Sequence, residues 1–228
     1  DQRGFGRSGG ERGDARGLQP FVEDFRGFLR DQRLPGLPLV VLAHSFGGLV
    51  ALAALAAAHP LADGAILSSP CLVLRPFPWS LRLIQRILLR LAPHLGLDLP
   101  NNKDLVCSDP DQVARYWADP LCHRRVTAAY SEVFAEGFAR LLPQAGGFRI
   151  PLLVLEAGED TVADPDAAGP FWSAVPPGFL QRVRMEGFRH EVFHDLRRAE
   201  AEARAATWLA RTFPASAGNP EALHAMRG

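Results

Sequence analysis

Apolar positions along the chain alternate between continuous runs of strand length and stretches with the three-and-four spacing of a helix. Strands are predicted at four runs: 38–43, 64–67, 151–156 and 179–185. Helices are predicted around them, at 18–29, 46–58, 165–174 and 199–213. The opening D-Q-R-G-F-G-R-S-G-G predicts the end of a strand and then a glycine-rich loop. Strands alternating with helices are typical of a mostly parallel sheet flanked by helices.

The pattern is interrupted between residues 71 and 148, where no strand is predicted and seven prolines separate helical and loop-like stretches. Because this segment is far too long for a simple connection, we predict an inserted helical cap. The predicted organisation is therefore an α/β core in two parts, a cap between them and a loose tail: 1–70, 71–148, 149–213 and 214–228.

The stretch L-V-V-L-A-H-S-F-G-G at 39–48 places a serine between a predicted strand and a predicted helix. Ser45 would stand on a strained turn, with the backbone N–H of Phe46 directed at an oxyanion formed beside it. Strand and helix pass close at such a turn, so Ala43 and Gly47 are expected to be small for steric reasons. The usual pattern is G-x-S-x-G, and the pentapeptide alone fits a plain Ser-Gly-Gly loop equally well.

A nucleophilic serine needs a base, and the base needs an acid that orients it. The loop after strand 151–156 carries Asp160, and the loop after strand 179–185 carries His190. Parallel sheets place their chemistry at the C-terminal ends of strands, and the order serine, aspartate, histidine is that of the α/β-hydrolases. We therefore predict Ser45 as nucleophile, Asp160 as acid and His190 as base.

Other acids and histidines remain as alternatives. Further carboxylates near the acid loop are Glu156, expected within the strand, Glu159 and Asp164. His44 is expected to point away from the site, and His59 to cap a helix. Surface positions are expected for the other three histidines: His94, His123 and His224.

A competing motif overlaps the proposed base, because residues 190–194 read H-E-V-F-H, the zinc-peptidase pattern. That chemistry needs both histidines on one helix and a third ligand downstream. The extended form of the pattern fails, since Arg197 and Glu200 stand where glycine and histidine belong. We predict no metal and keep a zinc peptidase as the less favoured alternative.

Composition narrows the class of protein. The 228 residues carry 25 basic and 25 acidic side chains, which gives no support for nucleic-acid binding. The three cysteines are odd in number and lack the spacing of a zinc site, so reduced thiols are expected. No apolar run is long enough to span a membrane, and a cytoplasmic protein is predicted.

Residues 79–92 predict an amphipathic helix with a basic stripe made of Arg82, Arg86 and Arg90. Packing of its apolar side against the cap, with the stripe solvated, is the favoured interpretation. The alternative is contact with a lipid surface, with the arginines at phosphate headgroups. A large apolar cap also suits an acyl chain better than a peptide.

The sequence resembles the monoacylglycerol lipase and lysophospholipase branch of the α/β-hydrolases. The resemblance rests on five segments: 1–10, A-H-S-F-G-G at 43–48, A-D-P-L-C-H-R at 118–124, 151–164 and 187–195. It implies an α/β-hydrolase fold, a lipid ester substrate, no cofactor and the same roles for Ser45, Asp160 and His190. Because His190 must be neutral to act, activity is expected to rise with pH between about 6 and 7.

In that family a His-Gly loop, which supplies the second oxyanion N–H, precedes the D-x-R-G-x-G phrase by some tens of residues. Here the phrase begins at residue 1. The expectation is an N-terminally truncated chain without its first strands and with Phe46 N–H as one oxyanion donor. An aminopeptidase-like or small-ester hydrolase and an inactive hydrolase-like fragment stay open as alternatives, and the sequence indicates no oligomeric state.

Overall fold

The computed structural model describes residues 1–56, 60–98 and 106–214. Within these ranges the helices are α1 (Gln19–Gln32), α2 (Phe46–Leu55), α3 (Trp79–Leu91), α4 (Pro110–Ala118), α5 (Ala128–Leu141), α6 (Gly169–Ala174) and α7 (Arg198–Thr212). The strands are β1 (Val40–His44), β2 (Gly64–Ser68), β3 (Gly96–Asp98), β4 (Arg125–Thr127), β5 (Leu152–Ala157) and β6 (Leu180–Met185).

The main sheet has four strands in the order β1-β2-β5-β6, and every neighbouring pair is parallel. All four correspond to runs in which a strand is predicted. The central strands β2 and β5 are buried along their whole length. Burial on both faces explains why their sequences are continuous apolar runs instead of alternating ones.

Two apolar layers cover the sheet. Successive side chains of a strand point to opposite faces, so Leu152 and Val154 of β5 pack in one cluster and Leu153 and Leu155 in the other. The larger cluster includes side chains of α1, α2, α5 and α6, and the smaller one includes Trp208 of α7. The result is a three-layer α/β fold with the C-terminal strand ends open to the site.

The segment predicted as a cap contains α3, β3, α4, β4 and α5. The prediction that it holds no strand is wrong, because β3 and β4 pair antiparallel through Gly96–Asp98 and Arg125–Thr127. Strands of three residues are too short to leave a periodic signal. Val133 and Phe134 of α5 pack in the larger core cluster, and the proposed domain limits stay a prediction.

Two further elements differ from expectation, and other predictions fall on residues that the structure does not describe. The opening ten residues form turns without a strand, because Gly4, Gly6 and Gly10 adopt positive φ. The helix expected from residue 165 begins at Gly169, since a turn occupies the preceding residues. The end of the helix predicted at 46–58, His59, His224 and the rest of the predicted tail after Pro214 lie outside the described residues.

Candidate active site

Ser45 lies at the sharp turn between β1 and α2. Its backbone has φ 51° and ψ −120°, a conformation that L-residues rarely adopt and that is typical of strained functional positions. Neighbouring backbone holds it there: Ser45 N–H donates to Ser68 O at 3.0 Å, and Ser45 O accepts from Gly48 N–H and Cys71 N–H. The turn thus brings the Ser45 side chain to the carboxyl end of the sheet.

The close approach of backbones at this turn falls at Gly48. A Cβ at Gly48 would lie 2.7 Å from Pro70 Cβ, whereas a Cβ at Gly47 would meet only Gln2 Nε2, at 3.7 Å. The prediction that Gly47 is small for steric reasons is therefore wrong, because the tight contact comes one residue later. Ala43 is buried, as expected of a residue beneath the turn.

The three residues predicted as a catalytic set meet in one hydrogen-bonded chain. Ser45 Oγ lies 2.9 Å from His190 Nε2, and His190 Nδ1 lies 2.9 and 2.8 Å from the two carboxylate oxygens of Asp160. A carboxylate only accepts, so Nδ1–H donates to Asp160 and Nε2 is left to accept from the Ser45 hydroxyl. Side-chain exposure is 5% for His190 and 3% for Asp160, so the pair is shielded from water.

Asp160 is held as an anion. Its Oδ1 accepts from Val162 N–H at 2.8 Å and Ala163 N–H at 2.9 Å. Burial opposes ionisation, but the hydrogen bonds and charge of His190, together with these two N–H groups, outweigh it and lower the pKa of Asp160 below its ordinary value. Because Asp160 stays ionised, it fixes both the tautomer and the orientation of the His190 ring.

Two of the other carboxylates near this loop have other partners, and the third is exposed. Glu156 lies in β5, as expected, and Arg182 holds it through two nitrogens at 2.8–3.2 Å. Glu159 is exposed, and Asp164 accepts from Ala167 N–H at 3.0 Å. None of these three carboxylates contacts the His190 ring.

His44 does not point away from the site, so that prediction is wrong. Its ring centroid lies 4.9 Å from that of His190, and it lines the same cavity as Ser45.

The histidines expected at the surface are partly exposed but make specific contacts with the N-terminal segment. His94 Nδ1 lies 2.9 Å from Asp14 Oδ1, and His123 Nε2 lies 3.0 Å from Gly4 O.

The zinc-peptidase pattern at 190–194 lacks the geometry that its chemistry needs. Val192–His194 is a single 3₁₀ turn, and His190 uses one ring nitrogen toward Ser45 and the other toward Asp160. His194 Nδ1 faces Glu191. Within the described residues no group of three or more histidine, cysteine or acidic side chains is arranged to hold a metal ion.

A cavity of about 260 Å³ opens beside Ser45. Its wall is largely aromatic, with Phe5, Phe46 and Tyr130, and its polar side chains come from Gln2 and His44. Tyr130 could not be predicted at this cavity, because an aromatic residue on an amphipathic helix gives no signal beyond core packing. Burial raises the pKa of the Tyr130 hydroxyl, which keeps it protonated.

The free cysteines offer no competing nucleophile in the core. Burial raises the pKa of the Cys71 thiol, and the charge of Asp160 adds to the effect. Burial likewise raises the pKa of Cys107, although a hydrogen bond to Asp109 opposes the shift. Both side chains therefore stay as unreactive thiols at neutral pH.

The helix predicted at 79–92 is α3, and its packing differs from the favoured interpretation. No residue of α3 is buried. Gln85 joins α3 to α5 by a hydrogen bond of 2.7 Å to Ser131 Oγ, whereas large apolar side chains remain exposed. The exposed fractions are 75% for Trp79, 52% for Leu83, 49% for Ile84, 48% for Ile87 and 80% for Leu91. Arg82, Arg86 and Arg90 are exposed beside them.

Within the described residues, no helix combines the length and the apolar character that crossing a bilayer requires.

Known proteins match both this sequence and this fold. Residues 1–197 match the serine aminopeptidase S33 family. The phospholipase YtpA of Bacillus subtilis is 30% identical over 203 residues, which cover 88% of this chain and 78% of that protein. The monoacylglycerol lipase of Mycolicibacterium smegmatis is 33% identical over 201 residues, which cover 86% and 71% respectively.

Among solved structures, the monoacylglycerol lipase of Paleococcus ferrophilus matches with a TM-score of 0.79 and 25% identity, over 93% of this chain and 82% of that one. The fold, the family match and these relatives agree with the expected α/β-hydrolase architecture. The chain belongs to the serine aminopeptidase S33 family of α/β-hydrolases, in the branch that contains the monoacylglycerol lipases, and is a hydrolase of the lipase and esterase type.

Proposed function

We propose that this protein hydrolyses carboxylic esters of lipid-like alcohols, with Ser45, His190 and Asp160 as its catalytic triad. The observation that carries the proposal is the continuous chain of hydrogen bonds from Ser45 Oγ through the His190 ring to the buried Asp160 carboxylate. Serine hydrolases on unrelated folds use the same arrangement of nucleophile, base and acid.

In the proposed reaction His190 Nε2 takes the proton of the Ser45 hydroxyl while Oγ attacks the ester carbonyl carbon. The carbonyl π electrons move to oxygen, and the oxyanion accepts from Phe46 N–H at the start of α2. As the tetrahedral intermediate collapses, the alkoxide leaves with the proton from His190, and the acyl group remains on Ser45. Water then gives a proton to His190 and attacks the acyl carbon. The bond from that carbon to Ser45 Oγ breaks, Oγ takes the proton from His190, and the fatty acid is released.

The cavity and the relatives support the proposed substrate class. An aromatic wall of Phe5, Phe46 and Tyr130 beside Ser45 favours an apolar acyl group. Relatives that cover most of this chain are a phospholipase and a monoacylglycerol lipase, so we propose a lysophospholipid or a monoacylglycerol as substrate. Small esters and aminoacyl amides are the competing substrates.

The test is hydrolysis of four substrates by the purified chain: monooleoylglycerol, lysophosphatidylcholine, p-nitrophenyl acetate and an aminoacyl p-nitroanilide. We expect the highest kcat/KM on one of the two lipids, with a loss of at least about 10³-fold in Ser45→Ala. Ser173→Ala, at an exposed serine on α6, is the matched control. Preference for the anilide, or hydrolysis that survives Ser45→Ala, would contradict the proposal.

We further propose that α3 rests on a membrane surface. The exposed side chains of Leu83, Ile87 and Leu91 lie on one side of the helix, with the stripe of Arg82, Arg86 and Arg90 next to them. Exposed apolar residues bordered by arginines suit the boundary between acyl chains and anionic headgroups. This contact would bring the cavity beside Ser45 to its lipid substrate.

Reversal of the three arginines of α3 to glutamate tests this contact by co-sedimentation with anionic vesicles. Each arginine near such a surface contributes about 1 kcal/mol, so the triple change should weaken binding by about 100-fold or more. The matched control reverses three arginines on α7: Arg198, Arg204 and Arg211. Equal vesicle binding by the two triple variants would refute a specific role for α3.

A further inference from the structure

Beside the triad, one carboxylate lies between two imidazole rings. Glu191 Oε2 lies 3.4 Å from His44 Nε2 and 3.1 Å from His194 Nδ1. Glu191 directly follows His190 in the chain, and its side chain is 19% exposed. The carboxylate is therefore largely shielded from water at the loop that carries His190.

His44 connects this carboxylate to the sheet. Its Nδ1 lies 3.1 Å from Ser68 O and 3.3 Å from Ser68 Oγ, at the end of β2. Its ring packs against the ring of His190 at a centroid distance of 4.9 Å and an angle of 57°. The contact between His44 and Glu191 thus joins the ends of β1 and β2 to the loop that follows β6.

We propose that His44 and Glu191 are positioning residues for His190, an inference that rests on the proposed hydrolase function. His44, packed on the His190 ring and paired with Glu191, keeps Nε2 of His190 within reach of Ser45 Oγ. The Glu191 carboxylate adds a negative charge near His190, and this charge favours the imidazolium that forms when the base takes the serine proton. The charge of Glu191 acts in addition to that of Asp160, which contacts His190 Nδ1, the ring nitrogen that does not face Ser45.

Several other titratable or charged groups surround Glu191. His194 shares its carboxylate oxygen, and the thiol of Cys107 and the phenol of Tyr116 are close enough for its charge to raise their pKa values, after the larger effect of burial. Arg189 donates to Cys107 O at 3.0 Å. The carboxylates of Asp109 and Asp195 act on the same thiol. The thiol and the phenol stay neutral at the pH of the reaction, so neither adds a negative charge beside Glu191.

The first test is Glu191→Gln, which keeps the side-chain shape and removes the charge. Loss of the negative charge makes protonation of His190 less favourable. We expect kcat on a soluble ester to fall about tenfold with KM unchanged within about twofold. Because activity needs neutral His190, the acid limb of the plot of kcat/KM against pH should move to lower pH.

Matched variants separate this role from general damage. Glu186→Gln removes a charge from the same loop, but that side chain is 77% exposed, so we expect unchanged kcat and an unchanged acid limb. Glu191→Asp keeps the charge and should leave the acid limb where it is in the wild type. His44→Gln retains a donor for Glu191 and should keep several-fold more activity than His44→Phe.

A double-mutant cycle tests the pairing directly. If His44 and Glu191 act together, His44→Gln and Glu191→Gln combined should lose much less than the product of the two single losses. Independent losses that multiply, or an acid limb that stays fixed in folded Glu191→Gln, would overturn the proposal. Failure of the proposed hydrolase function would appear separately, as wild-type activity that survives Ser45→Ala.

Discussion

Asp160→Asn isolates the charge of the proposed acid from its shape. The asparagine carbonyl can still accept from the N–H groups of Val162 and Ala163, which hold the loop in the native protein. Only the negative charge beside His190 is lost, together with its preference for the tautomer that donates from Nδ1. The folded structure should therefore survive while catalysis fails.

The expected magnitude follows from the distance and burial of the pair. His190 Nδ1 and Asp160 Oδ2 are 2.8 Å apart, and both side chains are almost fully buried. Two unit charges about 4 Å apart interact by about 4 kcal/mol at an effective dielectric constant of about 20. At about 1.4 kcal/mol per factor of ten, loss of this attraction to the developing imidazolium lowers kcat by about 10³-fold.

The assay is release of p-nitrophenol from a soluble ester at neutral pH, with unfolding in urea as the check on structure. Glu159→Gln is the matched control, because it removes an exposed carboxylate one residue away and should leave kcat unchanged. If folded Asp160→Asn kept more than about a tenth of the wild-type kcat, Asp160 would not be the acid, and the electrostatic reasoning would fail.

Three stability predictions concern buried positions, each measured by urea unfolding. Gly48→Ala should lower the free energy of unfolding by about 1–3 kcal/mol, because the added Cβ would lie 2.7 Å from Pro70 Cβ. Unchanged stability would show that the turn can widen. Ser69→Ala should be neutral or about 1 kcal/mol stabilising, since the buried Ser69 hydroxyl has no hydrogen-bond partner among the described residues; a clear loss would reveal one. Burial opposes ionisation of Asp14, but hydrogen bonds from His94 and Thr127 outweigh burial and lower the pKa of this carboxyl. Ionised Asp14 therefore stabilises the fold above about pH 4, and this contribution is lost as the pH falls. Asp14→Asn should therefore reduce the acid-dependent loss of stability, and an unchanged pH dependence would contradict this.

The positions of the three side chains that meet at the candidate site could be predicted because they depend on strand ends. Ser45, Asp160 and His190 each follow a strand of the main sheet, and parallel strands end at one edge. Continuous apolar runs give such strands a strong signal. The site therefore follows from local pattern and order along the chain, without knowledge of packing.

Features that depend on contacts between distant segments could not be predicted in this way. The direction of His44 depends on the path of the loop around Glu191, and β3 exists only because it pairs with β4. Likewise, the spacing of apolar residues along α3 predicts that one side of the helix is apolar, but it does not predict what covers that side. The described structure leaves much of that side exposed, so the apolar packing expected in the favoured interpretation is wrong, whereas the arginines are exposed as it expected.

The central claim, that Ser45 is an activated nucleophile, is tested most directly by covalent labelling with a fluorophosphonate and peptide mass spectrometry. We predict one adduct per chain, located on Ser45, with labelling abolished in Ser45→Ala and slowed at least about 100-fold in His190→Gln. An adduct on another serine, or equal labelling of Ser45→Ala and wild type, would contradict the account.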